Sequence, residues 1–423
     1  MKPVVKVFKF GGSSLKDAAA IQNVANILQN HKGKRLVIVV SAMGKTTNAL
    51  EKVVEAHAAK TGQAFSILND IKAQHYRLID ELFGKDDEVY AAVNDAFVEV
   101  EWILEEEPHE NYDYMYDQIV SVGELVSSKI VTAYLNKVGL PVQWLDARDI
   151  ILTDDIFREG WVQWEETLER SAKIARPMLD KGEFILTQGF IGSTSENFTT
   201  TLGREGSDYT AAILAYCLNA ESVTIWKDVP GVLNADPRNF EEARLLEQIS
   251  YREAIELAFY GASVIHPKTL QPLQRKEIPL HVKSFLNPMD MGTTVGKGIG
   301  IVPKVPCFIV KKNQVLLKLS SLDFSFIVED NISEIFKLLH DHRLKVDLIQ
   351  NSAISFSVCL DNKFKGLPAL LEELKRKFKV VCHEDVSLYT IRHFDDQAVK
   401  SLQNGKSVLV EQRGKETVQL VVQ

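Results

Sequence analysis

Hydrophobic positions fall into two alternating periods along the first part of the chain. Val4 to Phe10, apolar except at Lys6 and Lys9, reads as a buried strand, and Gly11-Gly12-Ser13-Ser14 is a turn. Asp17 to Asn30 then carries apolar residues at helical spacing (Ile21, Val24, Ala25, Ile27 and Leu28), and Leu36 to Val40 is a second buried strand. Strand, turn, helix, strand in this order begins a parallel α/β sheet. Residues from about Ala49 to Leu104 keep a helical period with no proline and few glycines, and a further helix is expected over Ile119 to Lys137. Strands are predicted at Val142 to Leu145, Phe184 to Gln188, Ser222 to Lys227 and Ile278 to Lys283. Helices are predicted at about Trp164 to Lys181, Tyr209 to Leu218 and Tyr251 to Tyr260.

Near residue 300 the texture changes. Gly292 to Pro306 holds glycines, two prolines and no helical period, as a linker or entry strand between domains would. Beyond it the pattern predicts strands at Val315 to Ser320, Lys345 to Gln350 and Ser355 to Leu360, with helices at Asn331 to His342 and Leu367 to Lys377. The tail repeats a shorter version: Val386 to Ile391, Asp395 to Gln403, Ser407 to Gln412 and Thr417 to Val422. The expected organisation is a domain over residues 1–295 followed by two small α+β units in tandem over 296–423, the second of them short.

Length and composition fit a soluble chain of two or three domains: 423 residues, 45% hydrophobic and 25% charged. A net charge of -8 argues against non-specific nucleic-acid binding, which needs a surplus of Lys and Arg. The four cysteines (Cys217, Cys307, Cys359 and Cys382) form no CxxC pair, so they are expected to be reduced packing residues. Apolar runs such as Leu36 to Val40 are far below the ~20 residues that a membrane helix needs. The amino terminus shows no secretory pattern, which makes the cytoplasm the expected compartment.

Two stretches carry candidate chemistry. Gly11-Gly12 lies between a buried strand and a helix, where glycine lets the backbone approach a ligand and helix N–H groups can face phosphate oxygens. Lys9, inside the same apolar strand, must place its ammonium somewhere polar. Gly44-Lys45-Thr46 has the end of a phosphate-binding loop but not the GxxxxGK[ST] spacing. The run from Thr201 to Ala212 enters an alanine-rich helix. Ser207 or Asp208 could cap that helix, and Arg204 beside two glycines suits a carboxylate-binding fork.

Read together, six blocks resemble the aspartate kinase branch of the amino-acid kinase family. They are Lys9 to Ser14, Ser41 to Asn48, Val122-Gly123-Glu124, Gly203 to Ala212, Asp228 to Val232 with Ala235 to Arg238, and Gly261 to Leu270. They keep the family's order over the first ~295 residues, and the tail looks like the family's paired ACT domains. The resemblance implies an α/β amino-acid kinase fold, a largely parallel central sheet sandwiched by helices, followed by small α+β ACT-like regulatory units. It implies transfer of the ATP γ-phosphate to the side-chain carboxylate of L-aspartate, giving 4-phospho-L-aspartate and ADP, the first step toward lysine, threonine and methionine. A homodimer or larger homo-oligomer joined through the ACT region is also implied.

The resemblance further assigns roles. Lys9 matches the catalytic lysine and Asp208 the aspartate that holds it or orders Mg²⁺, which is expected to bind mainly through the ATP phosphates. Glu124 matches the residue that pairs with the substrate ammonium. Arg204 matches the one that grips the α-carboxylate, helped by Ser41, Thr47 and Ser207. Gly11, Gly12, Ser13, Trp226, Lys227, Asp228, Gly231, Asp236, Arg238 and Lys268 match the nucleotide side. A carboxylate nucleophile with a free pKa near ~4 is already ionised, so no general base is required.

The chain departs from the family pattern at several positions. Glu205 stands where the family usually has glycine, and Lys227 where Thr or Ser is common. The loop Ile327 to Ser333, where an effector would meet free N–H groups, has no glycine and two acidic residues, and Ala353 replaces a usual acid. Dimerisation through the ACT region is therefore expected more firmly than lysine or threonine feedback. Three other readings compete. Acetylglutamate kinase shares the Gly-Gly loop and lysine but usually lacks the ACT tail and the Gly123-Glu124 block. A catalytically weak amino-acid sensor would not need Lys9, Glu124, Arg204 and Asp208 together. A bifunctional enzyme with homoserine dehydrogenase would need a second dinucleotide-binding domain after the ACT region.

Overall fold

The computed structural model describes residues 4–84, 88–262, 264–323, 325–361 and 366–423; Ser263 of the last kinase block lies outside them. The chain forms two compact units. Residues 1–232, 245–255 and 264–301 make the first, and residues 233–244, 256–263 and 302–423 the second. The division at 301/302 differs from the expected 295/296 because the supposed linker contains a strand, Thr293–Gly296, that belongs to the first sheet.

In chain order the elements up to that point are β1 (Val5–Phe10), α1 (Ala18–Gln29), β2 (Arg35–Val40), α2 (Thr46–Ala58), α3 (Ala64–Phe83) and α4 (Val89–Glu105). Next come α5 (Tyr112–Val120), α6 (Val122–Lys137), β3 (Val142–Leu145), α7 (Trp164–Arg170), α8 (Arg176–Asp180), β4 (Phe184–Gln188), β5 (Ile191–Ser193) and β6 (Thr199–Thr201). Then follow α9 (Gly206–Leu218), β7 (Ser222–Lys227), β8 (Gln248–Ser250), α10 (Tyr251–Tyr260), α11 (Pro267–Arg275), β9 (Leu280–Ser284) and β10 (Thr293–Gly296). The long helical stretch is thus three helices. Lys60 and Gly62 take positive φ after the first, and Gly84, at φ +90°, closes the second. The helix expected over Trp164 to Lys181 is continuous but passes through a π-helical turn at Ser171–Ala175.

The sheet order is β3-β4-β2-β1-β7-β9-β10-β8. From β3 to β9 every pair is parallel, and β10 runs antiparallel to β9. Parallel strands covered on both faces explain the nearly continuous burial of β1 and β2. Register puts Lys9 beside Ile225, so Lys9 and Lys227 share one face while Phe8, Phe10 and Trp226 share the other. α1 packs on that second face, and Asp17 caps it by accepting the Ala20 N–H at 2.8 Å. α9 packs against β1 and β7.

The second unit holds β11 (Cys307–Ser321), α12 (Glu329–Asp341), β12 (Lys345–Asn351), β13 (Ser355–Asp361), α13 (Leu367–Leu374), β14 (Phe378–Arg392), α14 (Asp396–Gln403), β15 (Val408–Arg413) and β16 (Thr417–Val422). These strands form one antiparallel sheet, ordered β12-β13-β11-β14-β16-β15. The two tandem repeats are therefore halves of a single sheet, because β11 and β14, 15 residues each, run through both. The sequence pattern showed only part of each long strand. A register shift near Gln314 and the positive φ of Asn313 and Asp385 interrupt the alternation. Glu329 and Asp330, placed by sequence in an effector loop, occupy the first turn of α12, where negative charge complements the helix dipole.

Candidate active site

A cleft of about 850 Å³ opens in the first unit at the carboxyl ends of β1, β2 and β7. Ligands of open α/β sheets bind at such strand ends. At its floor the Lys9 ammonium lies 2.7 Å from one oxygen of Asp208, with the two side chains 9% and 3% exposed. The Lys227 ammonium sits 3.2 Å from the other oxygen of Asp208 and also donates to the Val264 carbonyl. Burial alone would raise the pKa of Asp208, but the two ammonium groups outweigh it and hold the carboxyl below its usual range.

Asp208 comes from the first turn of α9, and close backbone packing sets its position. A Cβ on Gly189 would stand 2.4 Å from Ser207 Cβ and 2.7 Å from Ser207 Cα, so only glycine lets β4's end touch α9 there. We expect Gly189→Ala to cost about 1–3 kcal/mol of stability. It should also lower kcat further than the unfolding midpoint suggests, because the residue that must yield adjoins Asp208. Thermal melts run beside steady-state kinetics check this.

Glu124, at the start of α6, is buried and lines the same cleft. One oxygen accepts the Ala42 N–H at 3.3 Å, and the other has no hydrogen-bond partner. Burial pushes its pKa up to about 8, offset in part by that N–H and by Lys9. A buried, half-satisfied carboxyl is costly unless a cationic donor arrives. Ser41, Thr47, Arg204, Glu205 and Ser207 line the cleft as well, and the Arg204 side chain is exposed.

Glu205 takes a left-handed φ of 55° and lines the cleft with one oxygen shielded and without a hydrogen-bond partner. Glycine would avoid the strain of that conformation, about 1–2 kcal/mol. Glu205→Gly should leave the fold intact and lower the KM of an anionic substrate entering this cleft by roughly 2–5-fold. Initial rates over a substrate series measure it.

The Gly11-Gly12 turn lies at the end of β1. A Cβ on Gly12 would meet the Ala42 and Gly44 carbonyls at 2.8 Å, so the turn is pressed against the Ser41 to Gly44 loop. The expected helix does not follow at once. Ser13 lies in a one-turn 3-10 helix, Gly12–Leu15, and the N-terminus of α1 is occupied by Asp17. The other nucleotide-side residues are dispersed. Trp226 turns its ring into the core, stacked 6.1 Å from Phe10, which leaves only its main chain at the strand end. Asp228 is exposed, and Gly231 is packed so closely that a Cβ would lie 2.5 Å from Thr293 Oγ1. Lys268 donates to the Leu202 carbonyl at 3.2 Å and lies over the Tyr209 ring. Asp236 and Arg238, in the second unit, form a bidentate pair with each other, Nε on Oδ1 and Nη2 on Oδ2.

Sequence reading missed one wall of the cleft. Asn48, Glu51, Tyr116, Arg158 and Glu159 line it. Tyr116 donates to Glu51 at 2.7 Å, and the Arg158 guanidinium lies 4.3 Å from the Tyr116 ring centre. Behind them Asp117, fully buried, accepts the Arg158 and Thr201 N–H groups at 2.9 and 2.8 Å and the Thr201 hydroxyl at 2.7 Å. Burial raises its pKa to about 6 despite those three donors. Local pattern could not join these residues, because they come from α2, α5, a loop of the 150s and the three-residue β6. Among the described residues no group of three or more His, Cys, Asp or Glu side chains could hold a metal by itself.

Comparison with known proteins gives a consistent picture. The model of the amino acid kinase family matches residues 5–284. Lysine-sensitive aspartokinase 3 of Escherichia coli is 34% identical over 385 residues, 90% of this chain and 84% of that protein. The crystal structure of E. coli aspartokinase III with lysine and aspartate superposes with a TM-score of 0.84 at 30% identity, covering 99% of this chain and 96% of that one. The form with aspartate and ADP gives 0.81 at 30% identity with the same coverage.

Proposed function

Since this chain belongs to the amino acid kinase family, among its aspartokinases, we propose that the cleft phosphorylates the side-chain carboxylate of L-aspartate with ATP. The observation that carries the proposal is the buried Lys9–Asp208 pair at the strand end, facing the same cleft as the half-satisfied Glu124.

The residues divide the work by charge. The substrate ammonium meets the free oxygen of Glu124, and Arg204, with the hydroxyls of Ser41, Thr47 and Ser207, takes the α-carboxylate. One oxygen of the reacting carboxylate attacks the γ-phosphorus. The bond from that phosphorus to the bridging oxygen breaks, and its electron pair leaves on ADP. No proton changes hands, because the attacking carboxylate is already ionised. Lys9 offsets charge on the transferred group, and its position is fixed in advance by Asp208.

Gly11, Gly12 and Ser13, together with the main chain of Trp226 to Gly231 and with Lys268, are the groups proposed for the nucleotide. The roles of Asp236 and Arg238 there rest on the family resemblance alone. Mg²⁺ would supply further neutralisation of the phosphates. Both oxygens of Asp208 face ammonium groups, so the metal's ligands would be mainly phosphate oxygens and water.

The product fits the first step of lysine, threonine and methionine synthesis in the cytoplasm. No helix among the described residues is long and apolar enough to cross a membrane. Pairing of two chains through the antiparallel sheet of the second unit is proposed from the resemblance to ACT domains, and light scattering would measure it. The activity itself is tested by ADP release with Mg-ATP and hydroxylamine, comparing L-aspartate with N-acetyl-L-glutamate. Aspartate-dependent hydroxamate is the expected result. Turnover with N-acetyl-L-glutamate alone, or with neither acid, would overturn the proposal.

A further inference from the structure

We infer that Lys227 is a second catalytic cation of this enzyme, contacting the oxygens on which charge collects as ADP leaves. This deepens the kinase proposal above and rests on it.

Geometry comes first. Lys9 and Lys227 project from adjacent parallel strands onto the same sheet face, and they grip opposite oxygens of one buried carboxylate at 2.7 and 3.2 Å. An ammonium has three donors. Lys227 spends one on Asp208 and one on the Val264 carbonyl, and its side chain lines the cleft. A third donor is left for a ligand, on a nitrogen held from two sides. Pinning of this kind is what electrostatic preorganisation requires, because the charge needs no reorientation when the reaction occurs.

Charge comes next. Two ammonium groups around one carboxylate leave a net positive charge at the floor of the cleft. A structural ion pair would need only one lysine; the second, with its side chain 21% exposed, presents its charge to the cleft that it lines. In phosphoryl transfer the incoming and leaving oxygens are both anionic, so two cations have separate work to do.

Position divides that work. The sheet runs β2-β1-β7, and Glu124, proposed to face the aspartate ammonium, accepts the Ala42 N–H just beyond β2. Lys9, on β1, is therefore the lysine nearer the amino-acid side. Lys227 ends β7 and leads directly into Asp228 to Gly231, the segment proposed for the nucleotide. As the bond from the γ-phosphorus to the bridging oxygen breaks, the electron pair stays on ADP. The Lys227 ammonium faces that growing charge while keeping its own protons. Thr or Ser, common at this position in the family, offers a hydroxyl there but no charge.

The test is steady-state kinetics and ADP titration calorimetry on full-length Lys227→Met, Lys227→Thr and Lys227→Arg, with melting curves as the folding control. Lys227→Met and Lys227→Thr should lower kcat by roughly 10²-fold, as loss of one preorganised donor does. They should weaken ADP at least several-fold and leave the KM for aspartate within about 3-fold. Lys227→Arg should recover part of kcat. A kcat within about 3-fold of wild type in folded Lys227→Met would overturn the inference, as would a loss confined to the aspartate KM. If the wild type itself shows no aspartate-dependent turnover, the kinase proposal fails separately. An ADP affinity unchanged by Lys227→Met then overturns the role of Lys227 as well.

Discussion

Lys9→Met is expected to lower kcat by roughly 10³-fold, the upper range for removal of one preorganised transition-state donor. Methionine fills a similar volume without charge, so the variant should fold. Burial keeps the effect large. The Lys9 side chain is only 9% exposed, so water has little access to take over its role. Asp208→Asn should lose nearly as much. It leaves two ammonium groups around a neutral amide whose nitrogen end repels them, and Lys9 is no longer pinned. The two changes should not be additive. If Asp208 acts through Lys9, the double variant will be about as slow as the worse single one. Single-turnover rates with saturating ATP and aspartate measure this, with circular dichroism confirming the fold. Lys9→Met retaining a tenth of wild-type kcat would remove Lys9 from the mechanism.

Glu124 should control aspartate affinity and its dependence on pH. With burial holding its pKa at about 8, the carboxyl of the free protein is largely protonated at neutral pH. An ammonium needs the ionised form. Aspartate binding below pH 8 should therefore release a proton, and the KM for aspartate should fall by up to about 10-fold per pH unit between pH 6 and 8, then level off. The sign for stability runs the other way. A carboxyl whose folded pKa is raised contributes stability that is present below its unfolded value and lost as pH rises through about 8. The free protein should thus lose melting temperature across that window, while stabilisation by aspartate grows. Glu124→Gln should raise the KM for aspartate by roughly 10²-fold, the cost of a buried charge-assisted partner, and flatten the pH dependence. The kcat should change little, because Glu124 holds the substrate away from the reacting group. A Glu124→Gln enzyme with wild-type KM at pH 7 would refute this account.

The sequence alone determined the class of fold and the parts of the site that lie in continuous blocks. The largely apolar stretches at β1 and β2 announced buried strands, because helical layers on both sheet faces leave no polar side to alternate with. A lysine inside such a run had to place its ammonium somewhere polar, although local spacing could not say where. Lys9 and Asp208 are 199 positions apart, and their meeting depends on β1 lying beside β7 with α9 across both.

Tertiary structure alone decided the rest. The pairing of Lys227 with Asp208 follows from strand register, and the pinning of Ser207 follows from contact with Gly189. The wall formed by Glu51, Tyr116 and Arg158 joins three distant segments held by the buried Asp117. The two small units merged into one sheet because β11 and β14 run through both halves, which a bulge and left-handed residues had hidden from the alternation. Local pattern reports which face of an element is buried. Only the assembled chain fixes what lies against that face, since that depends on strand order, register and close backbone contact.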